Sequence, residues 1–285
     1  MSNNVYRLLI SCPDVHGLVA KVSQFILEYD GNIKEAHHHL DDQNKRFFMR
    51  IEIESSSLNC SFDEFRRSFV TLADTYKMDW RMSDASHLKR ILIMGSKSSH
   101  CVADLLHRGH EHELEGEIVG VLSNHQRLSK IASWYDVPFK QINIETDTKA
   151  ADIAKMTQAA IDFNPDVIVL ARYMQIIPQD LCEKFEGKII NIHHSFLPSF
   201  VGANPYARAA ERGVKLIGAT CHYVTADLDE GPIIEQDVVR VNHGDSADDM
   251  KKMGQDVEKI TLAKGLQFHL EDRVLTCNNK TVVFS

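Results

Sequence analysis

No stretch of this 285-residue chain stays apolar for the roughly 20 residues that crossing a bilayer requires, so a membrane-spanning helix is not expected. The opening Met1-Ser2-Asn3-Asn4 has neither the basic start nor the apolar stretch of a signal peptide, which makes the cytoplasm the expected compartment. Six cysteines (Cys12, Cys60, Cys101, Cys182, Cys221, Cys277) show no short repeated spacing. That excludes a disulfide framework or a four-cysteine zinc site and leaves free thiols in a reducing compartment. Positive charge is also short: 32 Lys and Arg face 40 Asp and Glu, a formal net charge of −8. Nucleic acid is therefore not an expected partner, because its binders present a basic face, while a small anion held by a few local donors stays open.

What is present suits a globular protein of one large domain or two modest ones, with 44% apolar and 25% charged residues. The first part reads as a small α+β unit. Val5-Tyr6-Arg7-Leu8-Leu9-Ile10 has strand composition, and Leu18, Val22, Phe25 and Ile26 recur at helical spacing until Asp30-Gly31-Asn32. Extended segments follow at 32–41 and 46–54. In the second, Phe47, Met49, Ile51 and Ile53 alternate with Phe48, Arg50, Glu52 and Glu54, which predicts one buried face. Phe62, Phe65, Phe69 and Leu72 mark a second helix, and Trp80 lies in a closing strand, completing a ferredoxin-like βαββαβ order.

Residues 82–87 read as a linker, after which strands and helices alternate as in a parallel sheet. Buried-type strands are predicted at Ile91-Leu92-Ile93-Met94, Val167-Ile168-Val169-Leu170 and Lys188-Ile189-Ile190-Asn191-Ile192. Further strands fall at 116–122, near 139–143, at 217–224 and at 233–241, and helices at 100–108, 126–135, 149–163 and 246–271. A terminal hairpin at 274–284 turns at Asn278-Asn279.

In such a sheet, ligands bind at the carboxyl ends of strands where the strand order reverses. The turn at 95–99, ahead of a helix, could hold an anion on its backbone N–H groups or be simply a turn. Asn191 and His193 are more informative. Two apart at a strand end, they point to the same side. An amide N–H stabilises an oxygen becoming negative and an imidazole moves protons near neutral pH, the combination that acyl chemistry needs. A capping Asn and a surface His would look the same in isolation. Asp229, before Gly231-Pro232 and between two apolar strands, could return beside His193 to orient the ring and raise its proton affinity, or be a turn aspartate.

Asn191-x-His193-x-Ser195-x-Leu197-Pro198, followed by His222-x-x-Thr225-x-x-x-Asp229-x-Gly231-Pro232-Ile233, resembles the folate-dependent formyltransferases over about residues 88–285. The resemblance implies a Rossmann-like domain with a mostly parallel sheet and a reaction centre of Asn191, His193 and Asp229. It also implies a pterin lying against Met174, Gln175, Ile176 and Ile177 and the loop 225–229, with His222 and Thr225 beside it. Cys12-Pro13-Asp14-x-x-Gly17-Leu18-Val19 and Gly31-Asn32-Ile33 resemble an ACT domain over residues 1–84, a module that binds amino acids and pairs with its own copies. That likeness implies effector contacts at Asp14, Gly17, Leu18 and Asn32, methionine and glycine as effectors, and a homodimer or homotetramer; the same residues would also serve simply to make the turns.

An ACT module fused to a formyltransferase domain resembles the formyltetrahydrofolate deformylases, as do Ala171-Arg172-Tyr173-Met174-Gln175 and Asn279-Lys280-Thr281-Val282-Val283-Phe284. The implied reaction is hydrolysis of 10-formyltetrahydrofolate to formate and tetrahydrofolate, without a prosthetic group or metal, in control of the one-carbon pool and of formate for purine synthesis. Two places depart from the pattern. Lys140 and Gln141 stand where a His pair is expected, and Asn204 and Ala207 where Lys and His are; these positions are expected near the acceptor side of the transferases. His37-His38-His39 invites a metal, but on a strand His38 points away from the other two and the run offers one site at most two ligands. A transferase to an amine acceptor and a weakened folate or amino-acid sensor remain the alternatives. Formate release without any acceptor separates them from hydrolysis.

Overall fold

The computed structural model describes residues 4–197 and 205–285. Two units are present, residues 1–88 with 271–277 and 281–285, and residues 89–270 with 278–280.

The first unit runs β1 (Val5–Pro13), α1 (Leu18–Glu28), β2 (Ile33–Asp41), β3 (Arg46–Glu54), α2 (Phe62–Thr75) and β4 (Asp79–Asp84). This is the expected βαββαβ order, in an antiparallel sheet arranged β2-β3-β1-β4. Helix α1 starts after Gly17, whose φ of 84° is a left-handed conformation that other residues rarely adopt. Its buried Leu18, Val22 and Ile26 recur every fourth position and so share one face. Helix α2 is opened by a capping box in which Ser61 and Glu64 satisfy each other's backbone N–H groups. Phe65, Phe69 and Ala73 on α2 then pack with Leu8 and Ile10 of β1 and Met49, Ile51 and Ile53 of β3.

The expectation of one buried face on β3 is only half of the arrangement. Phe48 and Arg50, on the opposite face, are buried as well. The terminal hairpin covers them: β12 (Val274–Cys277) and β13 (Lys280–Val283) bring Leu275 and Phe284 onto Leu9 and Phe48. Arg50 donates to the carbonyl oxygens of Asp272 at 3.1 Å and Glu271 at 2.9 Å, and pairs with Glu35 at 2.9 Å and Glu52 at 2.5 Å. Residues 271–277 and 281–285, most of the hairpin, group with the N-terminal unit, whereas the sequence pattern places all of 88–285 in the second domain. Four-residue strands cannot bury an apolar face alone, so they take it to a sheet formed more than 200 residues earlier, a return that local pattern does not encode.

The second unit continues with β5 (Lys89–Gly95), α3 (His100–His110), β6 (Gly116–Ser123), α4 (Ser129–Trp134), β7 (Phe139–Gln141), α5 (Lys149–Asp162) and β8 (Val167–Ala171). Then come α6 (Gln179–Lys184), β9 (Ile189–His193), α7 (Pro205–Arg212), β10 (Leu216–Tyr223), β11 (Ile233–Arg240) and α8 (Ala247–Leu270). The sheet order is β11-β10-β9-β8-β5-β6-β7, parallel from β9 through β7 and antiparallel at β10 and β11. Every residue of β8 is buried, which is why it reads as an unbroken apolar run. From β5 the chain moves outward through β6 and β7, then returns to the other side of β5 with β8. That reversal opens a crevice at the carboxyl ends of β5 and β8, with β9 next in line.

Candidate active site

A cavity of about 800 Å³ lies at this reversal. Asn191, His193 and Asp229 all line it, as do Met174, Gln175, Ile176, Ile177, His222 and Thr225. Met174 and Ile176 are 61% and 70% exposed, an apolar shelf suited to a flat ring.

Strand pairing places the polar groups. In the β9–β10 register Asn191 faces His222 and His193 faces Thr220. His222 Nδ1 lies 2.8 Å from the Tyr223 carbonyl oxygen, which can only accept, so Nδ1 carries the proton. In the neutral ring Nε2 then accepts from the Asn191 amide at 3.1 Å. His222 thus fixes the Asn191 amide while it also lines the cavity in which contact with substrate is expected.

Asp229 closes the group. One carboxylate oxygen is 3.2 Å from His193 Nδ1 and the other is 3.7 Å from His222 Nε2. The hydrogen bond from His193 is the largest influence holding the carboxyl well below the usual carboxylate range. It is therefore ionised at neutral pH, and it holds the proton of His193 on Nδ1, leaving Nε2 for chemistry. Asp229 reaches this place from a left-handed backbone conformation, φ 57°. Gly231 makes the approach possible, since a Cβ there would sit 1.8 Å from the Tyr223 carbonyl oxygen. Gly231→Ala should push the loop outward and lower kcat about 100-fold, the usual effect of an ångström-scale misplacement, with the melting temperature read in parallel.

Thr220, buried mid-strand, ties down the segment after His193. Its hydroxyl donates to the Ser195 carbonyl at 2.9 Å and accepts from the Leu197 N–H at 3.0 Å and the Gln236 amide at 2.9 Å. No motif signal marks it; the residue is legible only once β9 and β10 are paired.

His194 stacks on His193, with ring centroids 5.2 Å apart. Burial first, and then the charges of Arg172 and His193, lower its pKa to about 4 from 6.5. The ring is thus neutral in the folded protein at pH 7. Between pH 6.5 and 4 the unfolded chain takes up a proton that the folded chain refuses, so stability should fall as pH drops through this window. His194→Gln should flatten that part of the profile, as measured by denaturant unfolding at stepped pH.

Other expected residues have different surroundings. Ser96, in the turn at 95–99, donates to Asn124 Oδ1 at 2.6 Å and accepts from the Met174 N–H at 3.2 Å, so it braces the cavity wall. Lys140 pairs with Asp162 at 3.9 Å, and Gln141 lines a separate hollow with Asn143 and Asp152. Among the described residues neither lines the main cavity, β7 being two strands removed from β5. Ala207 does line it, and Asn204 lies outside the described residues. Asp14 donates its N–H to the Lys45 carbonyl, Gly17 makes the turn into α1, Leu18 is in the core, and Asn32 bonds Ser57 and Glu54. His38 and His39 stack on Phe47 and Phe48, residues of opposite sheet faces.

Among the described residues, His100, Cys101 and Glu258 have ligand atoms within 4.8 Å of one another. Glu258 is already engaged by His100 at 2.7 Å and the Tyr206 hydroxyl at 2.7 Å, and burial, then Glu258, push the Cys101 thiol well up. A neutral thiol beside an occupied carboxylate is a poor donor set for a metal.

A family model described as formyl transferase matches residues 89–266. A formyltetrahydrofolate deformylase of Bacillus subtilis is 45% identical over 98% of the chain and 93% of that protein, and one of Escherichia coli K12 is 39% identical over 95% of each. The crystal structure of a formyltetrahydrofolate deformylase from Pseudomonas syringae superposes with a TM-score of 0.96 at 53% identity, covering 99% of this chain and 94% of that one. Glycinamide ribonucleotide transformylase 1 from Symbiobacterium toebii matches with a TM-score of 0.66 at 27% identity, covering 70% of this chain and 95% of its own.

Proposed function

The chain belongs to the formyltetrahydrofolate deformylase family, and from that premise we propose that it hydrolyses 10-formyltetrahydrofolate to formate and tetrahydrofolate. The observation that carries the reading is the convergence of Asn191, His193 and ionised Asp229 on one cavity with an apolar shelf. Water attacks the formyl carbon as His193 Nε2 takes its proton. The new imidazolium is matched by Asp229, which already holds Nδ1–H. The carbonyl oxygen becomes negative and is met by the amide of Asn191, oriented by His222. As the C–N10 bond breaks, His193 returns the proton to N10, and formate leaves with one oxygen from the formyl group and one from water. The test is incubation with 10-formyltetrahydrofolate and no amine. Formate and tetrahydrofolate in equal amounts support the reading; tight binding without release would favour a sensor, and release only with an added amine a transferase.

We further propose that the N-terminal unit is an ACT domain that senses amino acids, methionine and glycine first, and pairs copies of the chain into a homodimer or homotetramer. The βαββαβ order and the β2-β3-β1-β4 sheet support it. In this reading the enzyme acts in the cytoplasm on the one-carbon pool and on formate supply for purine synthesis.

A further inference from the structure

On the cavity that His193 also lines, Arg172 combines three properties. Its backbone is left-handed, φ 60°, a conformation that costs a bulky residue free energy. Among the described residues its guanidinium Nε and Nη1 are buried with no hydrogen-bond partner. It also lines the reaction cavity together with His193 and His194. Buried donors without acceptors are rare and unfavourable, and strain held beside a reaction centre points to use.

The neighbouring carboxylate does not resolve this. Glu258 lies 3.5 Å from Arg172 Nε and balances its charge, but its two oxygens are engaged by His100 and Tyr206. Burial, which raises the Glu258 pKa, is outweighed by the His100 hydrogen bond, the Arg172 charge and the Tyr206 hydrogen bond, so it stays ionised. Arg172 is thus a held cation on the cavity wall whose Nε and Nη1 lack an acceptor among the described residues. A guanidinium fork matches a planar group with two oxygens, that is, a carboxylate. Hydrolysis creates one here: formate carries two oxygens, whereas transfer to an amine leaves an amide with one.

We propose that Arg172 forms a carboxylate subsite that receives the formate product beside His193. The proposal rests on the deformylase reading and adds to it a place where the product is held after the C–N10 bond has broken. The other source of carboxylate is the glutamyl tail of the folate, and the test separates the two.

The whole chain is titrated with sodium formate while the Arg172 side-chain Nε–H resonance and the linewidth of [13C]formate are followed. The resonance is assigned by its loss in Arg172→Lys. A three-atom ligand limits the affinity to about millimolar. The expected result is a saturable shift of the Arg172 resonance in the unsubstituted protein. The formate Kd should rise about tenfold or more in Arg172→Gln, with a smaller rise in Arg172→Lys, which keeps the charge but not the fork. N-benzoylglutamate, a mimic of the tail, should leave that resonance in place. A shift with N-benzoylglutamate but none with formate would assign Arg172 to the tail and overturn the proposal. No shift with either would also overturn it, the donors then meeting water only. Either failure leaves the deformylase reading intact if the acceptor-free assay releases formate, and absence of release there defeats that reading separately.

Discussion

His193→Ala should lower kcat by about three to four orders of magnitude while the protein keeps its fold. His193 is 7% exposed at the end of β9, and its Nδ1 is committed to Asp229. No other imidazole can take over. His222 has both ring nitrogens engaged by Tyr223 and Asn191, and His194 is too weak a base, with a pKa lowered to about 4. The alanine variant loses both the acceptor for the proton of water and the donor to N10. Asn191 and the apolar shelf remain, so KM should change far less than kcat. Single-turnover kinetics with circular dichroism on the same sample separate lost chemistry from lost fold.

Asp229→Asn should cost about 10³-fold or more in kcat, although the side chain barely changes in size. Asp229 is ionised because the hydrogen bond from His193, above all, stabilises its negative form. An amide at this position presents either an oxygen without charge or an N–H that meets Nδ1 of His193 as a second donor. In the first case the imidazolium formed during attack loses its counter-charge. In the second the ring proton moves to Nε2, the nitrogen that must accept from water. Both outcomes spare folate binding, so the loss should fall on kcat rather than on KM.

The parts of the fold that repeat with a clear period were readable in the sequence. The strands at 91–94 and 167–170 are uninterrupted apolar runs because both faces of a central parallel strand are covered, and both lie where expected. Asn191 and His193 were readable as a pair because a strand returns every second side chain to one side, and both line the cavity. Asp229 needed its Gly231-Pro232 context, and the structural reason is the 1.8 Å that a Cβ at 231 would leave. What could not be read depends on pairing between distant segments. The cover on Phe48 and Arg50 comes from Leu275 and Phe284, the brace on the His193 loop from Thr220, and the counter-charge to Arg172 from Glu258 on α8. The short helices α6 and α7, of six and eight residues, lack the length for a periodic signal.

The central claim is that water is the group that attacks the formyl carbon at His193. Turnover of 10-formyltetrahydrofolate in H₂¹⁸O without any amine tests it most directly, with the formate analysed by mass. The account predicts one ¹⁸O atom per formate, formed at the rate of tetrahydrofolate and lost in His193→Ala. Unlabelled formate, no formate, or labelled formate released undiminished by folded His193→Ala protein would contradict it.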